Sequence, residues 1–420
     1  MVERRLVYPV SAAILAMFAM FSLIWSQFYP FIMKTYSLDA VSPVALAASF
    51  SAAGNLLTQV LAGFIADRRG PKPTMAVAGL LYLAGTTIIS MMFSHASWEN
   101  ARLYWYAGAL TIGAGIGMYI GTLPVVISRW YPDAPGKAYG IALFGQYLSP
   151  VLISPLAAYL ITSYGLKEAF TFLGAAIFTV IYIIGVGVWR TPPREMAATF
   201  ANGGKTVSLK ESIRDLRFWI LFTVMFSTAI GWFLIMMNIA TIVVEGLGKA
   251  GLDVEYVASS FVPLFMSVAA VGNALGAYFW GVVNDRMGGP LRTLPIVYAL
   301  AGVMIFAFYL SYTSPSLILL TGCLLYFSLA GEPTVHFAAV PTFFGNEHVA
   351  KLTSILNTSV ASSAIIGPFI GAFIRDVLGS YFFSLAIAAV LHFFAVGVVL
   401  AGRKYAGGGV NVQVREPEGV

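Results

Sequence analysis

The pattern that decides the fold lies at residues 63–72, which read GFIADRRGPK, because it occurs a second time. The second copy begins at Gly281 and reads GVVNDRMGGPLR. Four positions of the first copy recur at one constant offset of 218 residues: Gly63, Asp67, Arg68 and Gly70 align with Gly281, Asp285, Arg286 and Gly288. An internal repeat of this length predicts two halves of similar structure.

The composition places both halves in a membrane. Of 420 residues, 59% are hydrophobic and 10% are charged, whereas soluble domains carry about 25% charged residues. The single cysteine, Cys323, can form neither an intrachain disulfide nor a cysteine-based metal site. The net charge of +6 comes from scattered basic residues, so it indicates membrane topology rather than nucleic-acid binding.

Charged, Pro-bearing and Gly-bearing interruptions divide the chain into apolar runs that are each near the ~20 residues needed to cross a bilayer. The runs are long and continuous, which favours helices over a membrane barrel. The twelve predicted spans are 8–31, 43–65, 73–94, 103–128, 138–163, 169–189, 217–243, 256–283, 293–312, 315–341, 352–374 and 380–402.

The repeat and the spans together predict an all-α integral membrane protein with two pseudo-symmetric six-helix bundles, related by an axis along the membrane normal. The N-terminal bundle covers residues 1–189 and the C-terminal bundle 217–403. Between them, residues 190–216 are polar and contain Pro and Gly, as is typical of a linker. Residues 404–420 form a tail.

The distribution of positive charge predicts the orientation of these helices. If the N-terminus lies inside, nineteen of the 24 Lys and Arg residues fall on the inner side. Since Lys and Arg are enriched in cytoplasmic loops, we expect a multi-pass protein of the cell membrane with both termini in the cytoplasm.

Two ionisable groups interrupt the tenth span. Glu332 is the one acid outside the loops and helix ends, and His336 follows four residues later on the same helix face, close enough to pair. A carboxylate at this depth is costly and usually functional. We expect Glu332 to take up and release a coupled proton, and His336 to tune the proton affinity of Glu332 or to bind substrate. A buried pair that only holds the bundle together is the alternative.

The repeated loop after the second and eighth spans predicts a gating element. Its glycines allow a tight turn and close helix approach, and its Asp and Arg can form charge pairs at the inner mouth. The alternative is an ordinary short loop whose charges only set the orientation of the helices in the membrane. The pattern G-x-x-x-D-R-x-G-x-[KR] resembles that of the major facilitator superfamily. The resemblance covers essentially the whole chain. It implies rocking alternating access around a central cavity lined by the first, fourth, seventh and tenth helices, with Asp67 and Asp285 stabilising one gated state.

A second resemblance rests on residues 128–140, SRWYPDAPGKAYG, and on the Phe218–Trp219 pair that opens the seventh span. Both are similar to segments of the oxalate/formate antiporter and monocarboxylate transporter families, and we include Arg129 among the gating residues. The resemblance implies carboxylate transport. The sequence differs where these families place an Arg in the eighth helix, since Ala277 stands there, and the eleventh span lacks the Lys of oxalate carriers.

Several polar residues inside the spans are candidate substrate ligands. Tyr119 falls opposite a stripe of small residues, Gly113, Gly117 and Gly121, that suits close helix packing. The others are amides, which also join helices to one another: Gln27, Asn238, Asn273 and Asn357. For His392 on the twelfth span, a structural or interfacial role is expected.

These features favour a secondary transporter that moves a small organic anion, a monocarboxylate or dicarboxylate, with protons or by exchange. The alternative is a proton-driven exporter of a cationic or amphipathic compound. A channel would need a continuous polar lining, and an enzyme would need a nucleophile, a metal cluster or a phosphate loop; the sequence predicts none of these. We expect a monomer in contact with membrane lipid and protons, without cofactor, metal or nucleic acid.

Overall fold

A computed structural model describes residues 5–131, 135–191, 209–344 and 349–406. Twelve of its helices are long and apolar enough to cross a membrane, as predicted, and we number them in chain order. They are α1 (Val7–Tyr36), α2 (Ser42–Arg69), α3 (Pro71–Met92), α4 (Trp98–Ile127), α5 (Gly140–Tyr164), α6 (Leu166–Val188), α7 (Leu216–Met236), α8 (Val254–Arg286), α9 (Pro290–Ser311), α10 (Pro315–Phe344), α11 (Ile355–Leu378) and α12 (Phe382–Arg403).

The helices form the two expected six-helix bundles. In the first bundle α4 packs against α2 and α3, and α1 packs against α5; in the second, α7 packs against α11 and α12, and α8 packs against α10. The bundles meet along two helix pairs, α2 with α11 and α5 with α8. The repeat maps α2 onto α8 and α5 onto α11, so the two interfaces are equivalent under the internal symmetry. The linker prediction falls largely on residues 192–208, and the tail on residues 407–420, outside the described residues.

The small-residue stripe of α4 packs as predicted. A Cβ built on Gly113 would lie 1.9 Å from the backbone oxygen of Ser51, and one on Gly121 would lie 2.0 Å from the backbone oxygen of Gln59. Because no side chain fits at these separations, the glycines let α2 and α4 approach with their backbones nearly in contact. This packing holds α2, which forms half of one interface between the bundles.

The repeated loop turns on its predicted glycines. Gly70 and Gly288 both have φ of +80°, a left-handed conformation that favours glycine. Gly63 and Gly281 are different, because a Cβ on either would meet its nearest neighbour at 3.5 or 3.6 Å, an ordinary contact. A helix approach so close that it requires glycine is therefore absent at Gly63 and Gly281, and the glycine requirement of the loop lies in its turn.

Two helices at the centre are interrupted at equivalent positions. In α1 the α-helix ends at Ala19 and a 3₁₀ turn, Phe21–Ile24, precedes Trp25. The seventh span was predicted to run unbroken over 217–243, which is wrong: α7 ends at Met236 and a separate helix runs Ile239–Lys249. Met20 and Asn238 at the two breaks are again 218 residues apart.

A side chain donates a hydrogen bond to a carbonyl group beside each break. The Tyr82 hydroxyl donates a hydrogen bond to the Ala19 oxygen. The Asn238 amide donates to the Leu234 oxygen at 3.0 Å and to the Pro368 oxygen of α11 at 3.1 Å. A buried carbonyl without a donor is destabilising, so the polar residues make interruptions possible within an apolar bundle.

Candidate functional site

A small cavity of about 20 Å³ lies at the centre, between the two bundles. By volume it has room for little more than one water molecule. Its lining comes from five helices and includes Leu23 of α1, Tyr147 and Pro150 of α5, Trp232, Met236 and Met237 at the end of α7, Met266, Ala270 and Asn273 of α8, and Tyr326 of α10. The expected lining helices included α4, which contributes no residue here, whereas α5 and α8 do.

Three of the lining residues offer polar side chains. Within the described parts of the chain, the Asn273 amide and the hydroxyl groups of Tyr147 and Tyr326 have no hydrogen-bond partner, and all three residues are partly exposed. A carboxylate is a strong acceptor for hydroxyl and amide donors. Asn273 was a predicted ligand, but Tyr147 and Tyr326 were missed, because nothing in the sequence distinguishes them from tyrosines that pack against lipid.

The other predicted ligands lie away from this cavity. Gln27 is buried and bonded to Ser154, donating from Nε2 to the backbone oxygen at 2.9 Å and accepting from the hydroxyl at 2.7 Å. This contact joins α1 to α5. Tyr119 is fully buried and stacks on Trp189, with ring centroids 6.3 Å apart. Asn238 holds the α7 break, and Asn357 on α11 is half-buried and does not line the cavity.

Glu332 and His336 are buried inside the C-terminal bundle and do not line the cavity. The expected pairing of Glu332 with His336 is wrong: the Glu332 carboxylate lies 2.7 Å from Nε2 of His392 on α12. His336 instead shares a 2.5 Å hydrogen bond with the Tyr298 hydroxyl of α9. The i, i+4 spacing placed both side chains on one face of α10, but that face contacts two helices and each side chain bonds to a different one.

The backbone around Glu332 explains how α10 holds a carboxylate at mid-membrane. One helical segment ends at Leu329 and the next runs Gly331–Phe344, with Glu332 in its first turn. Pro333 has no N–H, so it cannot continue the hydrogen-bond ladder across this point. The exposed N–H groups of a helix start favour negative charge, and the break therefore stabilises Glu332 together with His392.

The face opposite the termini, which we call the distal face, is closed by contacts between the bundles. The Asp376 carboxylate, at the end of α11, accepts hydrogen bonds from the backbone N–H groups of Val41 and Ser42 at 2.8 and 2.7 Å. These groups begin α2, in the other bundle. Asp376 thus caps a helix across the interface, a role that its sequence position at a helix end does not reveal.

Two further contacts join the bundles on the distal face. Arg375, which pairs with Glu245 of its own bundle at 3.0 Å, donates across the interface to the backbone oxygen of Asp39 at 3.3 Å. Lys34 and Glu255 form an ion pair of 2.8 Å in which both side chains are about two-thirds exposed. Because exposed pairs contribute little, the half-buried residues Arg375 and Asp376 dominate this closure.

On the face that carries the termini, the contacts of the repeated loop stay within one bundle. Arg129, two residues after α4, pairs with the Asp67 carboxylate at 2.5 Å and also donates to its backbone oxygen at 2.9 Å. Asp285, Arg286 and Arg68 are exposed, and Asp285 forms no ion pair with any residue that the structure describes. Among the residues that the structure describes, the predicted charge pairing therefore occurs in the first copy of the loop and not in the second, and it joins α2 to α4.

Comparison with known proteins agrees with this architecture. The sequence model of the Major Facilitator Superfamily matches residues 10–270 and 251–417. The chain is 25% identical to the oxalate:formate antiporter of Oxalobacter formigenes over 79% of this chain and 76% of that protein. It is 22% identical to monocarboxylate transporter 13 of Rattus norvegicus over 80% and 74%.

A solved structure shares the fold. It is a bacterial homologue of the human lysosomal transporter Spinster, with a TM-score of 0.72 and 14% identity over 95% of this chain and 96% of that one. The family match spans both bundles and agrees with the repeated loop, the twelve membrane helices and the central cavity. The chain is therefore a member of the Major Facilitator Superfamily.

Proposed function

We propose that the protein is a secondary active transporter of the cell membrane that moves a small organic anion, a monocarboxylate or dicarboxylate, by alternating access. The observation that carries this proposal is the central cavity, where Asn273, Tyr147 and Tyr326 present hydrogen-bonding groups that have no partner among the described residues. The similarity to an oxalate:formate antiporter and a monocarboxylate transporter supports a carboxylate as the ligand.

The charge of the site bears on the mode of transport. The described residues that line the cavity include no Lys or Arg, so none of them neutralises a bound anion. An anion that moves together with a proton transfers no net charge across the membrane. We therefore propose one of two modes. The first is proton symport, in which Glu332 is the group that is protonated. The second is exchange of one anion for another, which needs no proton.

We infer the direction of opening from the distal contacts. With both termini in the cytoplasm, as the positive charges predict, the distal face is extracellular and is closed by Asp376 and Arg375. The second half of α2, which runs toward the face that carries the termini, is largely exposed, including the side chains of Leu57, Leu61 and Phe64. Because the cavity has room for little more than one water molecule, exchange of substrate with the cytoplasm requires the cavity to widen on the terminal side, and exchange with the outside requires the distal contacts to break.

A proton-driven exporter of a cationic or amphipathic compound is the second candidate, and the apolar and aromatic part of the cavity lining supports it. Trp232, Tyr147 and Tyr326 offer aromatic rings to a cation, and three Met side chains suit an apolar ligand. Under this alternative Glu332 would hold the proton that is exchanged for the compound.

Uptake of radiolabelled oxalate, lactate, acetate and an organic cation into proteoliposomes separates the two functions. For a carboxylate transporter, at least one anion accumulates against its own gradient when the outside is more acidic than the inside. Asn273→Ala raises the KM for that anion. Movement of the cation alone, unaffected by added carboxylate, would replace the proposal by the exporter.

A further inference from the structure

His392 has one nitrogen whose protonation the structure fixes. Its Nδ1 lies 2.6 Å from the backbone oxygen of Ala388, one turn earlier on α12. A carbonyl oxygen only accepts hydrogen bonds, so Nδ1 must carry a hydrogen and donate it. His392 is therefore held in one orientation by its own helix, with Nε2 directed at α10.

The second nitrogen faces the Glu332 carboxylate at 2.7 Å. A hydrogen bond of this length needs one hydrogen between the two atoms, either on Nε2 as imidazolium or on Oε1 as a carboxylic acid. In both arrangements the pair carries no net charge. With no hydrogen between them, a carboxylate would face a nitrogen lone pair, and one negative charge would remain buried.

From this geometry we infer that Glu332 and His392 together form the proton-binding site of the transporter, separate from the substrate cavity. The inference rests on the proposed function for its role in transport. Release of the shared proton changes the pair from neutral to a charge of −1, and the lone pairs that then face each other require the two side chains to separate.

The surroundings limit which other groups can stabilise that charge. His336 lies on α10 itself, and α9 presents Tyr298, whose hydroxyl is bonded to His336. From α7, Gly231 contacts His392, and from α8, Trp280 lies against Gly331. Among the described residues, Glu332, His336 and His392 are the buried members of the Asp, Glu, Lys, Arg and His classes. No buried Lys or Arg in this part of the chain can replace the missing proton.

The contact with α7 links the pair to the substrate cavity. A Cβ on Gly231 would lie 2.9 Å from Cε1 of His392, so the imidazole occupies the space that a side chain would need. The next residue, Trp232, lines the cavity. Separation of Glu332 from His392 would move the ring that rests on α7, and the break before Glu332 gives α10 a point at which to bend.

Infrared spectroscopy of the full-length protein in detergent tests the proton site without transport. A pH titration of the unmutated protein should show one protonation midpoint that is absent in Glu332→Gln, read from the carboxylic-acid carbonyl band if the proton is on Glu332 or from the imidazolium bands if it is on His392. His392→Gln should shift that midpoint by ~1 pH unit or more, whereas His336→Gln should shift it by less. An unchanged midpoint in His392→Gln would overturn the inference.

Transport provides the second readout. In proteoliposomes, His392→Gln and Gly231→Ala should lose pH-driven accumulation of a carboxylate and keep carboxylate counterflow, which needs no net proton movement. Gly140→Ala is the matched control, since its Cβ meets nothing within 4 Å. Full accumulation in His392→Gln would contradict the inference. If the unmutated protein shows no counterflow with oxalate, lactate or acetate, the proposed substrate class fails, and the infrared titration still decides the proton site.

Discussion

Removing the carboxylate of Asp376 should open the distal face. In Asp376→Ala, the N–H groups of Val41 and Ser42 lose their acceptor, and Arg375 loses a neighbour at 3.4 Å. The α2 start remains intact within its own bundle, so the substitution acts on the contact between the bundles. We expect the equilibrium to shift toward a conformation that is open on the distal side.

The size of the shift follows from the type of contact. Loss of a side-chain helix cap costs about 0.5–2 kcal/mol. Because ~1.4 kcal/mol is a tenfold change in an equilibrium constant, the ratio of closed to open molecules should fall about 2- to 30-fold. Glu255→Gln is the matched control, since it breaks an inter-bundle ion pair that is about two-thirds exposed and such a pair is worth at most ~1 kcal/mol.

Distance measurements between spin labels can detect this shift. Cys323 is the single cysteine, so a Cys323→Ala background accepts labels at Lys167 and Thr313, which are exposed on the distal face in different bundles. Asp376→Ala should add a population at longer distance, and Glu255→Gln should add much less. Identical distance distributions for Asp376→Ala and the unmutated protein would refute the assignment of Asp376 as the distal cap.

Three further substitutions have defined outcomes. Asn273→Ala should raise the KM for the carboxylate about tenfold, because it removes a hydrogen-bond donor worth ~1.5 kcal/mol, and uptake kinetics measure this; an unchanged KM would exclude Asn273 as a ligand. Gly113→Ala should lower the melting temperature, whereas Gly140→Ala should not, since only the first Cβ meets backbone within 2 Å; equal melting temperatures would contradict the packing argument. Asp215 caps the start of α7 and its hydrogen bond with Arg217 lowers its pKa, so Asp215→Ala should destabilise by ~1 kcal/mol at neutral pH. That difference should shrink as acid titration passes through the lowered pKa, and thermal unfolding at several pH values would show a constant difference if the cap were irrelevant.

Much of the fold could be predicted because it rests on periodic or repeated features. Twelve apolar runs of sufficient length specify twelve helices, and the 218-residue offset specifies two similar bundles. The left-handed turns at Gly70 and Gly288 followed from the same repeat. The α7 break was not predicted, because it depends on where Asn238 donates its hydrogen bonds, and a local sequence of apolar residues does not reveal this.

The site was predicted less completely, because its contacts join helices far apart in sequence. The spacing of Glu332 and His336 showed correctly that they share a helix face, but not that the face lies between α9 and α12. His392 was therefore assigned a structural or interfacial role. Asp376 had the appearance of an ordinary charge at a helix end, and its acceptor role depends on a helix start more than 300 residues away.

The gating residues of the repeated loop stay a prediction. Arg129 bonds to Asp67 within the first bundle, whereas Asp285 forms no ion pair with a described residue, so the two copies differ in this conformation. A distal opening would bring the terminal-face halves of α2 and α11 together, and likewise those of α5 and α8. Asp67 and Asp285 are placed at the end of α2 and α8, where such a closure would occur.

Solute-driven proton movement tests the central claim most directly. Proteoliposomes that contain a pH-sensitive dye receive lactate, acetate, oxalate or an organic cation, with Glu332→Gln beside the unmutated protein. Proton-coupled anion transport predicts inward proton flux with at least one carboxylate, above that of protein-free liposomes, and its loss in Glu332→Gln. Carboxylate-driven proton flux that persists undiminished in Glu332→Gln would contradict the role of Glu332, and outward flux with the cation alone would contradict anion transport itself.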